Sequence, residues 1–240
     1  MIKLDILVLP VHPDDAELGC AGTILKHIAD GKKVGIADLT RGELGTRGSA
    51  EIRDQEAAVS ARILGLTVRE NLGLPDGFFQ NTHEYQIKVI EVIRKYQPEI
   101  IVTNAYHDRH PDHGRANELV EASAFLSGLR KIETEMDGQI QQEWRPAQVF
   151  HFIQDRYIRP DFVIDVTAYW DKKIESVLAF GSQFYNPEWE EEPETYISSP
   201  DFIQIVEARA REYGKSIGAR YAEGFTSKKI LGVNNLFDLK

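Results

Sequence analysis

Three short apolar runs, each followed closely by a helical pattern, restrict this chain more than any other feature. They are residues 5–11 (DILVLPV), 33–39 (KVGIADL) and 99–104 (EIIVTN), all rich in β-branched residues. Helical periodicity occupies 16–29, 50–64 and 85–96 around and between them, and follows the third run at 115–125. Further strands are expected at 147–153 and 161–165, and further helices at 170–180 and 202–216. Strands that alternate with helices make βαβ units, whose sheet is parallel and covered on both faces. The expectation is an α/β fold, a Rossmann-like doubly wound and mostly parallel sheet. No internal repeat or low-complexity linker interrupts the pattern, so 1–240 reads as a single domain, long enough to bury its core without disulfides.

Open parallel sheets bind ligands at the carboxyl ends of their strands. The first strand runs directly into His12-Pro13-Asp14-Asp15, and helical periodicity begins at Ala16. Asp14 and Glu17 have the spacing of a capping box, which is the structural reading of this loop. Capping needs only one of the two aspartates, however, and gives His12 no role. Gly19 and Gly22 already lie inside the helical pattern and no G-x-G-x-x-G follows the strand, which disfavours a dinucleotide cofactor.

After the strand at 99–104 comes AYHDRHPDHG, residues 105–114, which holds three of the seven histidines of the chain. It too sits between a strand's carboxyl end and a helix. Catalytic zinc takes three N/O ligands and leaves a place for water. His12, Asp15 and His113 supply two imidazoles and a carboxylate. Asp14 and His110 are then left to move protons, with Asp112 near enough in sequence to orient an imidazole. One zinc per chain is the expectation, although Fe(II) is satisfied by the same donors.

With both clusters in view, the chain resembles the LmbE-like (PIG-L) deacetylases. The resemblance rests on HPDD at 12–15 and HPDH at 110–113, and extends through TRGELGTRGSAEIRDQE (40–56), NLGLPDG (71–77) and GSQF (181–184). It is strongest to the N-acetylglucosaminyl-malate deacetylases of bacillithiol biosynthesis. Val11 departs slightly from the family, where a small residue is common. The resemblance implies that His12, Asp15 and His113 bind zinc and that Asp14 is the general base. It implies that His110, held by Asp112, stabilises the oxyanion or donates a proton. It implies an amidohydrolase that removes acetyl from an amino-sugar conjugate, N-acetylglucosaminyl malate or another N-acetylated sugar, and a homo-oligomer, since close relatives form hexamers. A non-catalytic metal-stabilised binding protein, with His110 as a fourth ligand, is the alternative of a different class.

The substrate-binding candidates are arginines. The chain carries 28 basic and 38 acidic residues, a net charge of −10. That balance argues against nucleic acid and anionic membranes as partners, and makes a local arginine cluster informative. Arg41, Arg47 and Arg53 follow the second strand. They either pair with Glu43, Glu51 and Asp54 at the surface or bind a substrate carboxylate, such as those of a malyl group. For Arg53 the resemblance favours substrate. Arg109, beside the histidines, is a further candidate. So is Tyr196, in the acidic loop 185–200, as a residue that closes over the substrate. His27 and His83 are expected at the surface, His151 in the core or behind the site, and Cys20 buried and inert. One cysteine, no signal-peptide pattern and no apolar run of membrane-spanning length lead to the expectation of a cytoplasmic protein.

Overall fold

The computed structural model describes residues 2–187 and 192–239. Its chain order is β1(Ile6–Leu9), α1(Asp15–Ala29), β2(Val34–Asp38), α2(Ala50–Leu64), β3(Val68–Asn71), α3(His83–Tyr96), β4(Ile100–Asn104) and α4(Pro111–Leu126). There follow a small hairpin, β5(Glu135–Met136) and β6(Gln139–Ile140), and then β7(Gln148–Phe152), β8(Phe162–Asp165), α5(Trp170–Leu178), α6(Phe202–Ser216) and β9(Ala222–Ser227).

Among the described residues the central sheet has seven strands in the order β3-β2-β1-β4-β7-β9-β8. The first five run parallel, whereas β9 pairs antiparallel with both β7 and β8. The expected mostly parallel sheet is present, with one reversed strand inserted near its far edge. Successive residues of β1 serve opposite faces. Leu7 and Leu9 pack with Val89, Ile93 and Leu119 of α3 and α4. Ile6 and Val8 pack with Ala16, Ile24 and Leu64 of α1 and α2. A strand buried on both sides needs a continuous apolar run, which is why 5–11 has no polar alternation. Sheet order reverses between β1 and β4, so the crevice for a ligand opens where the two histidine loops emerge. Among the described residues no helix is long and apolar enough to cross a membrane.

The first helix is broken. Cys20 has φ −149° and ψ 17°, outside the helical region. The Leu18 carbonyl and the Gly22 N–H, four residues apart, would ordinarily be helical partners. Instead Lys173 Nζ of α5 donates to Leu18 O at 2.8 Å, and Glu223 of β9 accepts from Gly22 N at 2.9 Å and Thr23 N at 2.7 Å. Lys173 and Glu223 close on each other at 2.6 Å, both buried. The ion pair thus supplies both halves of a missing helical bond. A Cβ on Gly19 would strike the Phe152 ring, and one on Gly22 would strike Val166, so the helix lies too close to its neighbours for side chains there. Glu223→Ala would leave an unpaired buried ammonium and two orphaned N–H groups. Its expected cost is about 3–5 kcal/mol of unfolding free energy by denaturant titration, whereas the double replacement Lys173→Met/Glu223→Leu should cost less.

Candidate active site

Asp14 stands at φ 127° and ψ −25° on the residue before α1, a backbone region that non-glycine residues rarely adopt. Such strain costs on the order of 1–3 kcal/mol and persists where surrounding structure enforces it. The capping reading fails here, because the Asp14 side chain makes no cap hydrogen bond. Glu17 is committed elsewhere, accepting from Ser60 Oγ at 2.5 Å and Arg69 Nη1 at 2.6 Å. What the turn achieves is to leave the Asp14 carboxylate in the cavity, with Arg53 Nη2 at 3.5 Å.

The next residue gathers the site. Asp15 Oδ2 accepts from the His12 N–H at 3.0 Å and lies 3.5 Å from His12 Nδ1. Its Oδ1 lies 3.3 Å from His113 Nε2. The inner nitrogens of both rings therefore turn toward one carboxylate. Their outer nitrogens are held by two others, His12 Nε2 by Asp76 Oδ1 at 2.9 Å and His113 Nδ1 by Asp108 Oδ2 at 2.8 Å. A carboxylate behind each imidazole is the arrangement that orients metal-binding histidines. His110 completes the group. Its ring meets that of His12 edge-on with centroids 4.8 Å apart, and nitrogens of His12, His110 and His113 come within 4.8 Å of one another.

Burial by itself would lower both histidines, but the aspartates outweigh it and lift His12 to about 9 and His113 to about 10. In the absence of metal, protons on these rings balance the buried carboxylates. Burial pushes Asp14 up to about 7 against the opposing pull of Arg53. His110 is lowered, by burial first and then by the neighbouring histidines. Two imidazoles and a carboxylate converging among further buried carboxylates fit a divalent cation of the zinc or iron(II) type.

His12, Asp14, Asp15, Arg53, Arg109, His110, His113 and Tyr196 all line one cavity of about 320 Å³. Arg109 stacks on the Tyr196 ring at 4.7 Å, so the two mouth candidates meet. Residues 188–191 of the acidic loop lie outside the described residues.

Two expectations need correction. Arg47 does not line the cavity. It is buried behind the wall, where it donates to Ser182 O at 3.0 Å and Pro193 O at 3.4 Å, because loop carbonyls near it need donors. Asp112 does not hold His110 by its carboxylate. That carboxylate accepts from Gly77 N at 2.8 Å and Arg115 Nη1 at 2.5 Å. Only the Asp112 N–H reaches His110, donating to Nδ1 at 3.3 Å, and His110 caps α4 ahead of Pro111. The ring is thereby assigned the Nε2–H tautomer, a neutral donor. Arg41 pairs with Asp54 and Glu51 at the surface. His151 is buried on Glu121 and Thr226, and Cys20 is buried at the helix break.

Sequence reasoning missed Asp76, Asp108, Gln154 and Gln183. Asp76 sits in the NLGLPDG segment and Asp108 inside the histidine cluster, so both had a local signal. Gln154 had none, and Gln183 only its place in GSQF.

A crystal structure of a conserved protein from Thermus thermophilus superposes with TM-score 0.85 at 36% identity, over 97% of this chain and 98% of that one. The diacetylchitobiose deacetylase of Thermococcus kodakarensis is 29% identical over 91% of this chain and 81% of its own. A probable N-acetyl-α-D-glucosaminyl L-malate deacetylase 2 of Bacillus anthracis is 28% identical over 75% and 81%. A relative of another kind, the 4-oxalmesaconate hydratase of Pseudomonas putida, is 25% identical over 74% and 73%. The family model described as GlcNAc-PI de-N-acetylase matches residues 7–124, the span that holds both histidine loops. The chain belongs to the PIG-L family.

Proposed function

We propose that this protein is a zinc-dependent N-deacetylase of an N-acetylglucosamine conjugate, with N-acetylglucosaminyl malate as the substrate that best suits the site. The observation that supports the reading is the gathering of these groups in one cavity. His12, Asp15 and His113 converge with carboxylates behind both rings, Asp14 faces Arg53, and His110 brings a third imidazole nitrogen within 4.8 Å of the other two. His12, Asp15 and His113 would hold the metal, which when bound supplies a Lewis acid and lowers the pKa of water to about 7. Asp14 would take a proton from the attacking water. His110, with its Nε2–H, would donate a hydrogen bond to the carbonyl oxygen as that oxygen gains charge. The departing amine needs a proton, which Asp14 can return after accepting it. Arg53 would steady Asp14, and Arg109 with Tyr196 would meet the aglycone, where a guanidinium suits a carboxylate. A cavity of about 320 Å³ lies at the small end of ligand sites, which suits a single sugar with a small aglycone.

The test is acetate release by metal-analysed protein from N-acetylglucosaminyl malate and from N-acetylglucosamine, with and without chelator. Chelator-sensitive release that favours the malate conjugate is the expected result. Equal turnover of both would keep the deacetylase and discard the malate assignment. No acetate from a zinc-loaded sample would remove the deacetylase reading, and the hydratase relative makes addition of water to an unsaturated acid the reaction to assay next.

A further inference from the structure

Asp15 is held from three adjacent strand ends. The His12 N–H at the end of β1 donates to Oδ2 at 3.0 Å, Asn104 Nδ2 at the end of β4 donates to Oδ2 at 3.3 Å, and Gln154 Nε2 beyond β7 donates to Oδ1 at 2.7 Å. The amide orientations follow from one fixed donor. Val11 N–H can only donate, and it reaches Asn104 Oδ1 at 3.0 Å, which turns Asn104 Nδ2 toward Asp15 and toward Gln154 Oε1 at 3.5 Å. Gln154 Oε1 is then the acceptor and its Nε2 the group on Asp15. Asn104 is itself pinned, since Asn117 Nδ2 donates to its carbonyl at 3.0 Å. Gln154 lines the same cavity as Asp15.

We infer that Gln154 is a positioning residue that fixes the orientation of Asp15 through a neutral donor and so keeps the metal site open on its substrate side. The inference rests on Asp15 being a metal ligand. An amide at this position spends one carboxylate lone pair and adds no charge, so Asp15 binds through one fixed face. A carboxylate there would be a second anion within hydrogen-bond reach of Asp15, and a cation would recruit it as an additional ligand. An apolar side chain would leave Oδ1 without its amide donor, with only Oδ2 still held by the His12 N–H and Asn104.

The experiment compares wild type, Gln154→Met, Gln154→Glu and Asp15→Asn, loaded with zinc or cobalt(II). Metal affinity is read by chelator competition, coordination by the visible cobalt(II) spectrum, and turnover alongside. Gln154→Met is expected to weaken metal binding about 10–100-fold, as loss of an outer hydrogen bond to a ligand does, and to alter the cobalt band. Gln154→Glu is expected to bind metal at least as tightly as wild type, with a weaker cobalt band from higher coordination and reduced turnover. If Gln154→Met keeps wild-type affinity and spectrum while Asp15→Asn loses metal, the positioning role is overturned and the ligand reading survives. If Asp15→Asn keeps wild-type metal affinity, the ligand reading itself fails and the inference falls with it. Thermal midpoints near wild type confirm that the Gln154 variants are folded.

Discussion

Asp14→Asn is expected to bind metal as wild type does and to lose about 10²–10⁴-fold in turnover, the range of a general base. The expectation follows from what the side chain touches. Asp14 approaches Arg53 Nη2 at 3.5 Å and takes no part in the carboxylate and imidazole contacts that join His12, Asp15 and His113. Asparagine has the same shape, so the strained turn at φ 127° is asked to hold nothing larger. Only the ionised carboxylate can accept a proton. Burial lifts its pKa to about 7, and a cation at the neighbouring ligands pulls it back down. Activity should therefore fall with decreasing pH along a limb below 7 in the loaded enzyme, and that limb should vanish in Asp14→Asn. Turnover within a few-fold of wild type would remove Asp14 from the role of base.

His113→Ala is expected to be more severe, because it removes the metal as well as the chemistry. The ring bridges Asp15 Oδ1 at 3.3 Å and Asp108 Oδ2 at 2.8 Å, so its loss strips one donor from the site and leaves Asp108 without its imidazole. Loss of an outer residue costs about 10–100-fold in metal affinity, and loss of a donor should exceed that. Metal analysis after dialysis against a weak chelator should find the variant empty and wild type loaded. Acetate release should be absent at ordinary metal concentrations. A variant that retains a full equivalent of zinc would move the metal to the other grouping of the cluster, His12 with Asp76 and Asp112.

Much of this architecture could be read from residues alone, and the exceptions share a cause. β1, β2 and β4 are legible because strands buried on both faces must be apolar throughout. β3, VREN, is a half-buried edge strand whose charged residues serve ion pairs, such as Arg69 on Asp38 and Glu17. β9, AEGFTS, is buried but filled with small and polar residues, because Glu223 is neutralised by a lysine 50 positions away and Gly224 lies against Tyr213. No local pattern encodes such a partner. The site divides in the same way. Runs such as HPDD and HPDH concentrate chemistry within a few residues. Gln154 is a single residue that acquires its role when β7 is laid beside β4. The residues alone leave Arg47 open while the resemblance favours Arg53 for substrate, and the fold puts Arg47 on loop carbonyls and Arg53 facing the cavity.

The splice in α1 also sets an order of assembly. Glu223, which completes the first helix, lies on the last strand of the sheet, and that strand fits between two already made, β7 and β8. As the chain leaves the ribosome, the segment bearing His12, Asp14 and Asp15 emerges well before β9. Yet the helix behind it lacks its carboxylate until β9 follows some two hundred residues later. A nascent chain that includes α5 but stops short of β9 has Lys173 without its carboxylate and the break in α1 unclosed. Competence to hold metal should therefore arrive late and all at once, with the last strand rather than with the histidines.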